Sequence, residues 1–286
     1  MSLRTPLCQR LSIEKPVFLA GMGGVAYADV CAAVSEAGGF GTLGMATASP
    51  EGIRAEMRAV RARTDRPFGV DLLAALPATV DAAIDIIVEE GAAAFIAGLG
   101  VPSSVVAKCH DAGLLVMSMC GKVSHAVRAA EAGCDVVVAQ GTEAGGHTGK
   151  VAGLALIPQI VDAVDIPVLA AGSIVDGRGL AASLALGCAG QGVAAHQALA
   201  VHGDPEGQEL AGAVAEVLAQ IVGDLEHEGA GLVGLGHDAG DTQRVVGALH
   251  GQPTRPARRA IVASASAITS STISAQLLMS RMAPAP

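Results

Sequence analysis

The chain has 286 residues, of which 51% are hydrophobic and only 16% charged, so it can bury a sizeable core and is not intrinsically disordered. Aromatic residues make up 2% and Trp is absent, which argues against a surface built to stack nucleic-acid bases. The formal charge of −9 argues against any polyanion partner and fits a soluble cytoplasmic protein acting on a small molecule, with no nucleic acid, no membrane and a homo-oligomer left open.

In chain order, the first 16 residues lack the apolar stretch of a signal peptide. Short apolar runs then recur, each closing near a Gly and each followed by a helix-like stretch. The predicted strands are Val17–Ala20, Gly39–Leu43, Phe68–Leu72, Ala93–Ala97, Leu114–Met117, Asp135–Ala139, Pro167–Ala171 and Ala189–Val193. Predicted helices between them include Ala26–Ala37, Pro50–Arg63, Thr79–Glu90, Val123–Ala132 and Asp176–Leu186. The strand runs show little polar alternation, as expected for strands buried on both faces of a parallel sheet. Eight such units predict an α/β fold, a (β/α)8 TIM barrel, with its core over residues 1–198. An open doubly wound sheet is the alternative.

Past about Leu199 the repeat ends, and residues 199–286 are expected to form a C-terminal helical and Gly-rich extension packed on the barrel. It includes a helix over Leu210–Val222, introduced by Asp204 and Pro205. The uncharged stretch 261–279 contains seven Ser or Thr, so it reads as a soluble Ala/Ser-rich segment and not a membrane span. The six cysteines show neither CxxC spacing nor a partnering His, so no metal site is expected.

Barrels of this kind place their chemistry on the loops at the C-terminal ends of the strands. After the first strand, Ala20-Gly21-Met22-Gly23-Gly24 is either a plain Gly-rich turn or a place where a planar ligand meets backbone. Asp71, at the end of the third strand, either caps the next helix or touches a ligand. Lys122, after the fifth strand, either serves an anion or sits idle at the surface. The loop after the sixth strand, Gln140-Gly-Thr-Glu-Ala-Gly-Gly-His-Thr-Gly149, is the strongest signal. It sets one imidazole among small residues, and imidazole has the pKa suited to proton transfer near neutrality. His147 is therefore the candidate catalytic residue, whereas His125 is expected to face outward from its helix. After the seventh strand, Gly172-Ser173 precedes a helix whose free N–H groups could hold a phosphate.

Residues 139–149, together with Ile166-Pro-Val-Leu-Ala-Ala-Gly172 and Asp176-Gly-Arg-Gly179, resemble the nitronate monooxygenase family, formerly called 2-nitropropane dioxygenases. Flavin-dependent enoyl-ACP (enoyl-thioester) reductases share that scaffold. The resemblance runs from about Pro16 to Leu199 and implies an FMN at the barrel mouth. It assigns Gly21 and Met22 to the flavin ring, and Asp71, Lys122 and Gln140 to the flavin or its ribityl chain. Gly145 and Gly146 would allow close backbone approach, and Gly172, Ser173, Ala194 and Ala195 would lie at the phosphate. His147 would orient a nitronate or exchange its proton. Three positions depart from the family pattern: Asp71 replaces an Asn, Ser173 a Gly, and Ala194-Ala195 a Gly-Thr pair, the last removing a phosphate donor. Three readings follow: an FMN-dependent oxidoreductase (a monooxygenase) passing electrons from a small nitronate-like anion to O2, an enoyl-thioester reductase using NAD(P)H, and a cofactor-free relative with a non-redox or binding role.

Overall fold

The computed structural model describes residues 4–74, 77–172 and 174–193, with the side chains of residues 77–79 left aside. The chain enters through a short helix, α1 (Pro6–Leu11). Thr5 starts it by accepting the Cys8 N–H on its hydroxyl, and Pro6 occupies the first position, where its missing N–H is no loss. Eight strands follow: β1 (Val17–Leu19), β2 (Gly41–Gly44), β3 (Phe68–Leu73), β4 (Ala94–Gly98), β5 (Leu115–Cys120), β6 (Val136–Gln140), β7 (Val168–Ala171) and β8 (Gly190–Val193). They alternate with α2 (Ala28–Glu36), α3 (Pro50–Arg61), α4 (Pro77–Glu89), α5 (Ser103–Asp111), α6 (Val123–Glu131), α7 (Gly153–Ala163) and α8 (Gly177–Ala185). The expected strands are all present, with ends displaced by a few residues.

Every strand pair is parallel, in the order β1-β8-β7-β6-β5-β4-β3-β2. The seam between β1 and β2 is short. Phe18 lies opposite Phe40, Leu19 donates its N–H to the Phe40 carbonyl at 2.9 Å, and Phe40 donates to the Val17 carbonyl at 2.9 Å. These bonds close the sheet into a (β/α)8 barrel and exclude the open alternative.

Alternation along each strand divides the apolar residues into two sets. Phe18, Ile96, Met117, Val138 and Leu169 point inward and pack with Leu7, Cys8, Leu11 and Ile13 of the entry segment. The Thr5 hydroxyl donates to the Ala189 carbonyl at 2.9 Å, just ahead of β8, so α1 closes the N-terminal end of the barrel. The alternate residues, among them Leu43, Val70, Phe95, Val116 and Val137, face the helices and form the larger core. In α3, Ser49 caps the first turn by accepting the Gly52 N–H. Ile53, Met57 and Val60, spaced by a helical turn, supply its buried face. Each such side chain contributes about 1.5–3 kcal/mol by leaving water. Gln191 of β8 is wholly buried, and its amide has no hydrogen-bond partner among the described residues. It lies outside the set of inward-facing side chains, away from the barrel mouth.

Among the described residues no helix is long and apolar enough to cross a membrane. The extension expected over 199–286, its helix at Leu210–Val222, the stretch 261–279, and the site candidates Ser173, Ala194 and Ala195 lie outside the described residues.

Candidate functional site

The C-terminal ends of the strands surround a cavity of about 1140 Å³. Its floor is the inward set, with Phe18, Ile96, Met117, Val138 and Leu169, and its rim is made by the loops. Gly21, Met22, Asp71, Lys122, Gln140, Gly145, Gly146, His147 and Gly172 all line it, so every described candidate converges on this one end. His125 lines it too. The expectation that this imidazole faces outward is therefore corrected: α6 presents His125, near its start, and Arg128, in its last turn, to the mouth.

The His147 loop is held by its own residues. Gln140 donates its side-chain Nε2–H to the Gly145 carbonyl at 3.1 Å. Gly141 donates to the Ala171 carbonyl at 3.0 Å, and Thr142 to the Val151 carbonyl at 2.9 Å. Glu143 reaches across the base of the loop, where its carboxylate accepts the Gly153 N–H at 2.9 and 3.1 Å. That N–H opens α7, whose Ala152 cap offers no side chain to satisfy it. Glu143 thus caps α7 and pins the loop that carries His147. His147 itself is exposed toward the cavity and makes no hydrogen bond within the described residues, so it is free to meet a ligand.

Asp71 projects from β3 toward the cavity, and its carboxyl makes no hydrogen bond within the described residues. Water reaches it only through the cavity, and burial pushes its carboxyl up to about 8, so it is mostly protonated at neutral pH. A neutral carboxyl does not repel an anion. It donates one hydrogen bond, as an amide would. Gly21 lies directly against it: a Cβ built on Gly21 would fall 2.1 Å from the Asp71 Cβ, so no larger residue fits there.

At the end of β7, Gly172 has φ of 114°, a conformation that favours glycine, and it lies close to Ala144 of the His147 loop. The next helix start is not open to a ligand. Asp176 caps α8 by accepting the Gly179 N–H at 3.1 Å and is paired with Arg178, which holds its carboxyl below the usual range.

The described residues fit a flavin ring. The cavity walls at Gly21, Gly145, Gly146 and Gly172 are backbone, which lets a flat ring lie against them. Gln140 keeps its side-chain oxygen uncommitted, and Asp71 offers a proton.

The model of the family described as nitronate monooxygenase matches residues 4–205. One relative, the (3aS,4S,5R,7aS)-5-hydroxy-7a-methyl-1-oxo-octahydro-1H-indene-4-carboxyl-CoA dehydrogenase of Mycobacterium tuberculosis, is 42% identical over 193 residues, covering 66% of this chain and 54% of that protein. A nitronate monooxygenase of Paraburkholderia phytofirmans is 32% identical over 224 residues, covering 62% of this chain and 61% of that protein. Among solved structures, FabK from Thermotoga maritima superposes with a TM-score of 0.65 at 35% identity, covering 68% of this chain and 62% of that one. The chain spans about half the length of the dehydrogenases that it matches. With the family model aligned along the whole described barrel, this chain belongs to the nitronate monooxygenase family.

Proposed function

We propose that the chain is an FMN-dependent oxidoreductase acting on an acidic carbon next to an electron-withdrawing group, and that its substrate carries a bulky apolar body activated as a thioester. The observation that carries this reading is the cavity. At about 1140 Å³ it exceeds the roughly 300–1,000 Å³ of ordinary ligand sites, and its floor is mainly apolar side chains, with Thr42 and Ser118 among them. A cofactor and a large apolar substrate fit together in such a space, and a small nitronate alone would leave much of it filled with water. The 42% identity to a dehydrogenase named for a ring-bearing carboxyl-CoA points the same way. Oxidation of a small nitronate by O2 is the second reading, supported by the family and by the His147 loop.

In this reading Gly21, Met22, Gly145 and Gly146 seat the flavin ring, with Asp71, Lys122 and Gln140 facing the ring or its ribityl chain. The phosphate falls to Gly172, Ser173, Ala194 and Ala195. The flavin supplies the two-electron chemistry when bound. His147 holds or removes a proton at the acidic carbon, and Phe18, Ile96, Met117 and Leu169 keep water from beneath the apolar body. The protein works in the cytoplasm.

The test is a titration of the full chain with FMN, read by visible absorption. Saturable binding with a perturbed flavin spectrum is expected. His147→Ala should keep that spectrum while lowering turnover of a thioester substrate on the order of 10²–10⁴-fold. No FMN binding would leave the cofactor-free alternative standing.

A further inference from the structure

The described surface neutralises most of its cations. Arg10, Arg54, Arg58, Arg63, Arg66 and Lys108 each meet a carboxylate. The cavity rim is different. Lys122, Arg128 and Lys150 all line it, and none has a carboxylate partner among the described residues. Asp71 is the one acidic residue on the lining among the described residues, and burial keeps it largely neutral at pH 7.

These cations are brought together by the fold. Lys122, His125 and Arg128 recur every three residues from the start of α6, so they share one face of it. Lys150 comes from the next loop, which packs hard on the first: a Cβ on Gly149 would fall 2.2 Å from the Gly121 carbonyl oxygen. That contact sets Lys150 beside the start of α6. Burial, Arg128 and Lys122 together lower the His125 pKa, so this imidazole is neutral at pH 7 and donates one hydrogen bond. Elsewhere on the rim, the β4–α5 loop presents Leu99, which is 57% exposed and held at φ of 62°, a conformation that a branched side chain rarely adopts. The mouth therefore has an apolar edge and a cationic edge on a chain of net charge −9.

We propose that His125, Arg128 and Lys150, with Lys122 adding its charge, form the seat of a phosphate-rich nucleotide arm on the substrate, of the kind coenzyme A supplies to an acyl thioester. The inference rests on the thioester reading above. An unpaired cationic rim leading into an apolar cavity fits an amphipathic molecule, with the acyl body inside and the anionic arm across α6. A free diphosphate with a further ribose phosphate matches several separated cations better than the single phosphodiester of a protein-bound pantetheine does.

The test is calorimetric titration of the full chain with coenzyme A, with pantetheine 4′-phosphate and with pantetheine, each in the absence and presence of saturating FMN. Coenzyme A should bind, should weaken steeply with added salt, and should bind at least about tenfold more tightly than pantetheine. Arg128→Gln and Lys150→Gln should each weaken coenzyme A by roughly three- to thirtyfold and leave pantetheine unchanged, and Lys150→Arg should restore binding. FMN affinity should be the same in all of these variants. Loss of FMN affinity in Arg128→Gln or Lys150→Gln would overturn the assignment by giving these cations to the flavin. Pantetheine 4′-phosphate binding as tightly as coenzyme A would overturn the nucleotide arm, and so would absence of coenzyme A binding in a chain that binds FMN. A chain that binds coenzyme A but not FMN would keep this seat and remove the flavin reading.

Discussion

Asp71 carries the largest electrostatic tension among the described carboxyls. Its folded pKa is raised to about 8, against an unfolded value of about 4. Between those values the folded chain keeps a proton that the unfolded chain has released, so the stability supplied by this group falls as pH rises through the window. Above it the penalty is complete, and every tenfold difference in proton affinity between the two states costs about 1.4 kcal/mol. Asp71→Asn removes the titration while keeping the shape and a donor. Its melting temperature should therefore match that of the parent near about pH 4 and exceed it by several degrees near about pH 9. A gap that stays constant across thermal melts at both ends would show that burial does not hold this carboxyl neutral. The residue was legible in the sequence as a candidate. Its protonation was not, because that depends on the depth of β3 in the barrel and on Gly21 closing over it. His125 failed in the opposite way. Periodicity places it beside the buried Ala126 and Ala129 of α6, yet a mouth-facing stripe in a barrel is polar, and apolar spacing cannot mark it. The three-residue recurrence of Lys122, His125 and Arg128 was the available signal.

At the scale of elements, the loop between β6 and α7 shows how a sequence motif divides its labour. His147 faces the ligand space, and Glu143, four residues earlier, is spent on structure by accepting the Gly153 N–H. Removing that acceptor leaves the first donor of α7 to water, a loss of about 1 kcal/mol for a helix cap. Glu143→Ala should speed amide exchange across residues 141–152 by about fivefold while leaving exchange in the strands unchanged. Hydrogen–deuterium exchange with mass spectrometry reads this directly, and unchanged loop protection would remove the pinning role. The strands were legible because both of their faces are buried, which writes each one as an unbroken apolar run. The entry helix α1 was not. At six residues it is too short for periodicity to register, and its role comes from Leu7, Cys8, Leu11 and Ile13 filling the barrel end.

For the whole molecule, the inward and outward sets of strand residues leave two dry layers, one inside the barrel and one beneath the helices. All six cysteines of the chain lie buried as free thiols. Burial raises Cys31 strongly, holds Cys109 and Cys120 up at about 11, and holds Cys134 and Cys188 up at about 12. Because the thiolate is the reactive form, these five thiols offer an alkylating reagent neither access nor nucleophile, and burial alone denies it access to Cys8. Under native conditions, labelling should proceed only as fast as the chain opens and should accelerate with denaturant in step with loss of structure. A fast phase at any of these positions, identified by mass spectrometry, would contradict the burial described. The six thiols sit on α1, α2, α5 and β5 and just ahead of β6 and β8, so they act as built-in timers placed around the ring. The order in which they become reactive reads out which part of the wall gives way first, with no probe engineered into the protein.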